Sequence, residues 1–315
     1  MDRNVRRLLM ENYTYEFFIL TFPTHVKNKS NLSIVFVLLY MIAVLANAVT
    51  IIVIYNDQHL HTPMYLFLCN LAIIDIFYTT TTVPHLVHML LSGDYTISFT
   101  QCFTQIYFFG FFASIEDLLL FIMAYDRYVA ICHPLHYSNI LSKSKCLMFL
   151  TIAWVLGALN SSFATFILAK IPMCYSNTAS HFFCEFKTFE KISCPNVTYQ
   201  LISYLEALTF GLGPFLGSII SYTKGIIVIL HIKSSTGRRN AFSTCSSHLM
   251  VLTMTYGTFM TMYTIPPSKD TQVFELTLSV LYTTITPMLN PLIYSVRNKE
   301  VKRAILKLMG CRVKG

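Results

Sequence analysis

SIVFVLLYMIAVLANAVTIIVIY, residues Ser33 to Tyr55, runs for twenty-three residues without one charged side chain. At 1.5 Å per residue a helix of that length reaches about 34 Å, enough to cross roughly 30 Å of hydrocarbon. Six more apolar runs of spanning length follow, near Met64–Leu91, Phe99–Ile131, Cys146–Ile171, Tyr199–Ile232, Ala241–Ile265 and Val273–Val296. The pattern predicts an all-α bundle of seven transmembrane helices. The runs from Ala241 and Val273 are rich in Thr and Tyr, which predicts that they line an interior instead of facing lipid. No internal repeat is visible, which weakens a transporter built on duplicated halves.

Composition agrees with a lipid solvent. The 315 residues are 54% hydrophobic and only 12% charged, whereas ordinary globular chains run near a quarter charged. The aromatic share of 14%, mostly Phe and Tyr, suits lipid-facing and interfacial positions. A net charge of +8 does not point to nucleic acid, because the basic residues sit in short loops and near the C-terminal end, as membrane topology requires. Lys143, Lys145, Lys233, Arg238 and Arg239, then Arg297, Lys299, Lys302, Arg303, Lys307, Arg312 and Lys314 mark one side as cytoplasmic. Seven crossings then put the N-terminus outside. Arg3, Arg6 and Arg7 run against this rule but lie more than about 20 residues from the first helix, where their weight is small. Met10 is an alternative start that would remove them. No cleavable signal peptide precedes the tail, so the first helix is expected to act as a signal anchor.

The outer side collects further signals. Sequons stand at Asn12, Asn28, Asn31 and Asn196, with Asn12 the preferred glycan site, whereas Asn160 lies inside a helix and is expected to be unreachable. Cys102, Cys174, Cys184 and Cys194 fall on this side and are expected to be oxidised. Their spacing leaves three pairings open. The other five cysteines lie within helices or on the opposite side, and the nine form no convincing metal-ligand set. Beyond the last span, Val301, Ala304, Ile305 and Leu308 recur at helical spacing, with Lys299, Lys302, Arg303 and Lys307 on other faces. That predicts a short amphipathic helix on the anionic inner leaflet, ended by Gly310. Cys311 is a candidate for palmitoylation, with a free thiol as the alternative.

The third span ends MAYDRYVAICHPLHY, Met123 to Tyr137, and the seventh contains PMLNPLIY, Pro287 to Tyr294. Together these resemble the rhodopsin-like G protein-coupled receptors, and the long form of the first motif resembles the odorant receptor family. Pro63–Leu68, Leu71–Asp75, Thr81–Pro84, His181–Cys184, Ser221-Tyr222, Ala241–His248 and Arg297-Asn298 follow the family's order. Two departures stand out: Ala46 precedes Asn47 where the family usually has Gly, and Asn240 replaces a usual Lys at the inner end of the sixth helix.

The resemblance implies a domain plan of tail 1–32, receptor domain 33–296 and cytoplasmic tail 297–315, in the plasma membrane, with no cofactor, no metal and no catalysis. It implies Cys102 paired with Cys184 and Cys174 with Cys194. It implies an Asp126–Arg127 switch that Tyr222 and Tyr294 meet when the cytoplasmic side opens. Residue chemistry agrees, since an acid beside Arg127 at a helix end can hold the guanidinium until a docking partner claims it. Asn47, Asp75, Glu116 and Asn290 are expected to form an intramembrane polar network. Pro214, Pro287 and Pro291 are expected to bend their helices. Family geometry places the ligand pocket among Phe109, Gly110, Ala113, Ser114, Glu206, Phe210, Phe259, Tyr263 and Thr283. The implied partners are a small odorant, membrane lipid and a heterotrimeric G protein with a stimulatory olfactory-type Gα, which raises cyclic AMP.

Glu206 belongs to no family motif. It reads as a lone carboxyl inside the fifth helix that points into the pocket and biases it toward amines or strongly hydrogen-bonding odorants, with the headgroup region or a bond to a neighbouring helix as the alternative; Asp117 is a rival acid nearer mid-membrane. Two other classes remain in view. The intramembrane acids suit a channel or transporter, and His248 with Ser243, Ser246 and Ser247 suits an intramembrane hydrolase, although those residues sit at the cytoplasmic end within a family motif.

Overall fold

The computed structural model describes residues 17–20, 29–172, 178–179, 181–195, 197–231, 234–264 and 272–308. Seven long helices form the bundle: α1 (Lys29–Asn56), α2 (Pro63–Ser92), α3 (Phe99–Cys132), α4 (Lys143–Leu168), α5 (Val197–Glu206 and Gly213–Leu230), α6 (Ser235–Thr264) and α7 (Gln272–Val280 and Thr286–Arg297). A shorter helix, α8 (Lys299–Leu308), follows. Six of the seven are long and apolar enough to cross a membrane; α6 has the length, but its Ser and Thr content dilutes its hydropathy.

Length and packing explain where these helices differ from the apolar runs. α6 starts at Ser235, well before Ala241, because hydropathy marks the part in lipid and a helix continues past it. α4 stops at Leu168, before Ile171, where Lys170 N–H donates to Ile167 O and Ile171 N–H to Leu168 O in a tightened last turn ahead of Pro172. Gly93 closes α2 with φ of 72°, a conformation open to glycine, and its N–H donates to Met89 O. Ser98 and Gln101 then open α3 with reciprocal side-chain to backbone bonds.

α3 is the central helix, packed against α2, α4, α5 and α6. It buries Ser114, Glu116 and Asp126 along with its apolar face. α1 and α4 are peripheral and leave Leu38, Leu45, Leu159 and Phe163 exposed, as side chains facing lipid tails. α5 and α7 each widen for one turn, at Ala207–Leu212 and Leu281–Ile285. Each wide turn ends one residue short of a Gly-Pro or Thr-Pro step at Pro214 or Pro287. Proline cannot donate to the preceding turn, and local widening lets neighbouring N–H groups find other carbonyls. The expected bends therefore take the form of widened turns at these two places.

A three-stranded sheet has no counterpart in the sequence reading. β1 (Phe17–Leu20) lies in the tail, pairs antiparallel with β2 (Thr96–Ser98) and parallel with β3 (Thr178–Ala179). Phe18 and Leu20 are buried, and the Phe18 ring meets Phe99 at 6.1 Å and Phe189 at 5.0 Å. The tail thus joins the two loops at the end of the bundle that carries the Cys102–Cys184 bond. At the other end α8 buries Val301 and Ala304 and exposes Lys302 and Arg303, while Leu308, expected on the apolar face, is 52% exposed.

Candidate functional site

Arg127 sits on the last turns of α3. Its Nη2 donates to Asp126 Oδ2 at 2.6 Å and its Nε at 3.0 Å. The Tyr137 hydroxyl, from the short turn Tyr137–Ile140, donates to Asp126 Oδ1 at 2.7 Å. The Asp126 side chain is wholly buried and Arg127 is 11% exposed. A buried carboxylate is tolerable only with such partners. Burial, together with the facing Asp126 carboxylate, pushes the Tyr137 phenol above its ordinary range, so it remains a donor.

Around the guanidinium stand Tyr222 from α5, Cys245 and His248 from α6 and Tyr294 from α7, all within electrostatic reach. Tyr222 is engaged elsewhere, its hydroxyl 2.5 Å from His248 Nδ1. The Tyr294 hydroxyl and His248 Nε2 are buried without a hydrogen-bond partner among the described residues. An unsatisfied buried polar group costs about 1–3 kcal/mol. This arrangement therefore holds Arg127 on Asp126 while leaving nearby polar groups that a different helix arrangement can satisfy.

Midway along the bundle, Asn290 Nδ2 donates to both oxygens of Asp75, at 3.2 and 3.1 Å. Glu116 is buried close enough to Asp75 for their charges to interact. Asn47 stands apart from this pair. Its Nδ2 donates to Ala43 O and to Pro287 O, each at 3.0 Å, and so ties α1 to the α7 backbone just past its wide turn. The four expected network residues form one bonded pair, one neighbour and one separate tie.

At the opposite end Cys102 is bonded to Cys184, which fixes the loop 181–185 against the first turn of α3. Cys184 N–H donates to Gln105 Oε1 at 2.8 Å, and Gln105 Nε2 to Thr81 O at 2.7 Å. His181 Nε2 lies 2.9 Å from Ser279 Oγ on α7 and 3.5 Å from Glu185 Oε1, while the Tyr282 hydroxyl donates to Glu185 Oε2 at 2.6 Å. Cys194 is also in a disulfide. Cys174, its implied partner, lies outside the described residues, as do Asn12, Met10 and Cys311; the side chains of Tyr263 and Asn240 do too.

The expected pocket residues fall into three groups. Phe109 lies under the loop, its ring 4.9 Å from Phe183 and 4.9 Å from Tyr78, with Thr283 fully buried nearby on the wide turn of α7. Ser114 and Glu206 are joined through Asn160 of α4, whose Nδ2 donates to Ser114 Oγ at 3.1 Å and to Glu206 Oε1 at 2.9 Å. Glu206 is therefore not a lone carboxyl but one bonded to the neighbouring helix. Phe259 of α6 presses its ring on Gly211, where an added Cβ would come within 2.8 Å of Phe259 Cζ. Phe210 and Ala113 are half-buried on the same helices. Gly110 serves close packing: a Cβ there would meet Phe186 at 3.1 Å and Ser161 at 3.2 Å.

Several participants escaped the sequence reading. Asn160 was read only as an unreachable sequon, and Gln105, Glu185, Ser279 and Tyr282 carried no motif signal. His248 stood inside a quoted motif, yet its bond to Tyr222 depends on how α5 and α6 are placed side by side.

Known proteins answer the same question independently. The sequence profile of the family described as olfactory receptor matches residues 36–312. Olfactory receptor 1G1 of Gorilla gorilla gorilla is 41% identical over 298 residues, covering 94% of this chain and 95% of its own. Olfactory receptor 1J1 of Homo sapiens is 40% identical over 93% of this chain and 92% of its own. The crystal structure of squid rhodopsin superposes with a TM-score of 0.74 over 91% of this chain and 83% of its own, at 16% identity, and so speaks for the fold. The seven helices, the Asp126–Arg127 pair at the end of the third and a match over nearly the whole length lead to one conclusion: this chain belongs to the olfactory receptor family.

Proposed function

We propose that this chain senses small odorants in the half of the bundle nearest the Cys102–Cys184 bond and activates a stimulatory olfactory-type G protein at the Arg127 end, raising cyclic AMP. The observation that carries the reading is the state of Arg127. It is held by Asp126, itself held by Tyr137, while Tyr222 is diverted to His248 and Tyr294 has no partner among the described residues. That is a resting arrangement with a ready alternative, in which α6 moves, Tyr222 leaves His248, and Tyr222 and Tyr294 turn to a released Arg127. A ligand drives the change only as far as it binds the second arrangement better than the first.

Topology fits the same direction. A disulfide persists in an oxidising compartment, which supports an outward Cys102–Cys184 end and an Arg127 end within reach of a cytoplasmic G protein. The expected ligand groups lie on α3, α5, α6 and α7; the wide turn of α5 starts directly after Glu206 and that of α7 contains Thr283. Widened turns frequently mark functional positions. Nothing in this scheme makes or breaks a covalent bond in the ligand.

The test is a chemically diverse odorant panel applied to cells expressing the full chain with the stimulatory Gα, read as cyclic AMP. At least one odorant class is expected to give a saturable rise that vanishes in cells lacking that Gα. A saturable response that persists without the Gα would contradict the coupling.

A further inference from the structure

α3, α4 and α5 meet where Asn160 bridges Ser114 and Glu206, and the hydrogens at this junction can be counted. With Glu206 ionised, the form an ammonium ligand would favour, the carboxylate decides which end of the Asn160 amide faces it, since the flipped amide would set Oδ1 against Glu206 Oε1 with no proton between them. Nδ2 therefore spends one hydrogen on Glu206 and the other on Ser114. Ser114 in turn donates its single hydroxyl proton to Gly110 O at 2.8 Å. In that ionised form every donor of the trio is committed. What remains are acceptors from three helices: Glu206 Oε2, Asn160 Oδ1 and a lone pair of Ser114 Oγ, none receiving a bond from another described residue.

A site with only acceptors to offer satisfies donors and leaves carbonyls and esters unsatisfied. Rejecting a group that cannot complete the site's bonds is the stronger form of selectivity. An ammonium group brings up to three N–H donors and a charge opposite to the carboxylate, and charge-assisted bonds are about twice as strong as neutral ones. Four and five residues along α5 from Glu206, Phe210 is half-buried and Gly211 carries the Phe259 ring of α6, aromatic groups of the kind an alkyl chain would need.

We infer that the Ser114–Asn160–Glu206 junction is the polar subsite of the ligand pocket and ranks ligands of equal size as alkylamine above alcohol above ester. This deepens the odorant-receptor reading and rests on it. Among the described residues Asp117 makes no hydrogen bond to the junction; it lies within electrostatic reach of Tyr256 and Tyr78.

The test is direct binding of pentylamine, pentanol and methyl butanoate to the purified full chain in lipid nanodiscs, by titration calorimetry against empty nanodiscs, with no G protein present. The parent is expected to bind the amine most tightly. Glu206→Gln keeps the bond to Asn160 and removes the charge, so amine affinity should fall about tenfold or more while pentanol changes little. If Glu206→Gln does not fold, Ser114→Ala carries the test by deleting one acceptor and releasing one Asn160 N–H donor, and the amine should lose about three- to tenfold. Equal losses for amine and alcohol would show a purely structural tie between helices and overturn the inference. So would an ester that binds as well as the amine, or a folded parent that binds none of the three. In each of these cases a cyclic AMP response to odorants of another class leaves the receptor reading standing.

Discussion

Arg127→Ala is expected to abolish odorant-evoked cyclic AMP per receptor at the surface, and Asp126→Asn is expected to raise signalling without odorant. The opposite signs are the point of the pair. Both substitutions break the same 2.6 Å contact, so a contact that served stability alone would weaken the receptor in both. Arg127→Ala leaves the wholly buried Asp126 with the Tyr137 hydroxyl alone, and breaking a buried pair from one side costs about 3–5 kcal/mol. Some loss of surface protein is therefore expected, which is why signalling must be normalised to it. Asp126→Asn instead keeps a hydrogen-bonding group of the same shape opposite Tyr137 and frees the guanidinium. Cyclic AMP assays of both variants, with surface staining, decide the matter. Undiminished signalling by Arg127→Ala, or loss of basal and evoked signalling in both, would remove the switch.

The second large effect concerns the staple at the other end. Cys102→Ser and Cys184→Ser are each expected to lose most surface expression, and the double variant is expected to be no worse than either. The bond closes a separation of 82 residues, and removing a native disulfide typically costs about 2–5 kcal/mol. Here it also anchors the loop whose Cys184 N–H sits on Gln105 and whose His181 and Glu185 reach α7. Two cysteines in one bond act as a unit, so their losses must not add. Surface staining of the three variants checks this; additive losses would mean that each thiol matters for a different reason.

Some of this was open to inspection in the sequence and some was not, and the division is physical. Seven spans were legible because lipid demands a long apolar run for each crossing, and Asp126 and Arg127 were legible because an acid and a base at a helix end are conspicuous in such a run. Features that depend on non-local placement were hidden. β1 is four residues of tail that pair with Thr96–Ser98 and Thr178–Ala179 far along the chain, and no local pattern announces that. Pro214 and Pro287 signalled irregular helix, but whether a helix kinks or widens depends on which carbonyls its neighbours leave free. Glu206 was visible as an odd acid; that Asn160 answers it required knowing which face α4 turns to α5. The hydropathy of α6 understated it as a span, because Ser and Thr residues inside a bundle bond their own helix backbone, as Thr258 does to Met254 O at 2.7 Å.

The central claim is that ligand binding near the disulfide end changes the Arg127 end. It is tested most directly by nucleotide exchange on a purified stimulatory heterotrimer mixed with the purified chain in lipid nanodiscs, with and without an odorant that the cell panel has identified. The account predicts exchange that accelerates with odorant in a saturable way and returns to the unstimulated rate in Arg127→Ala. Saturable odorant binding with no change in exchange rate, or acceleration that Arg127→Ala leaves intact, would contradict it.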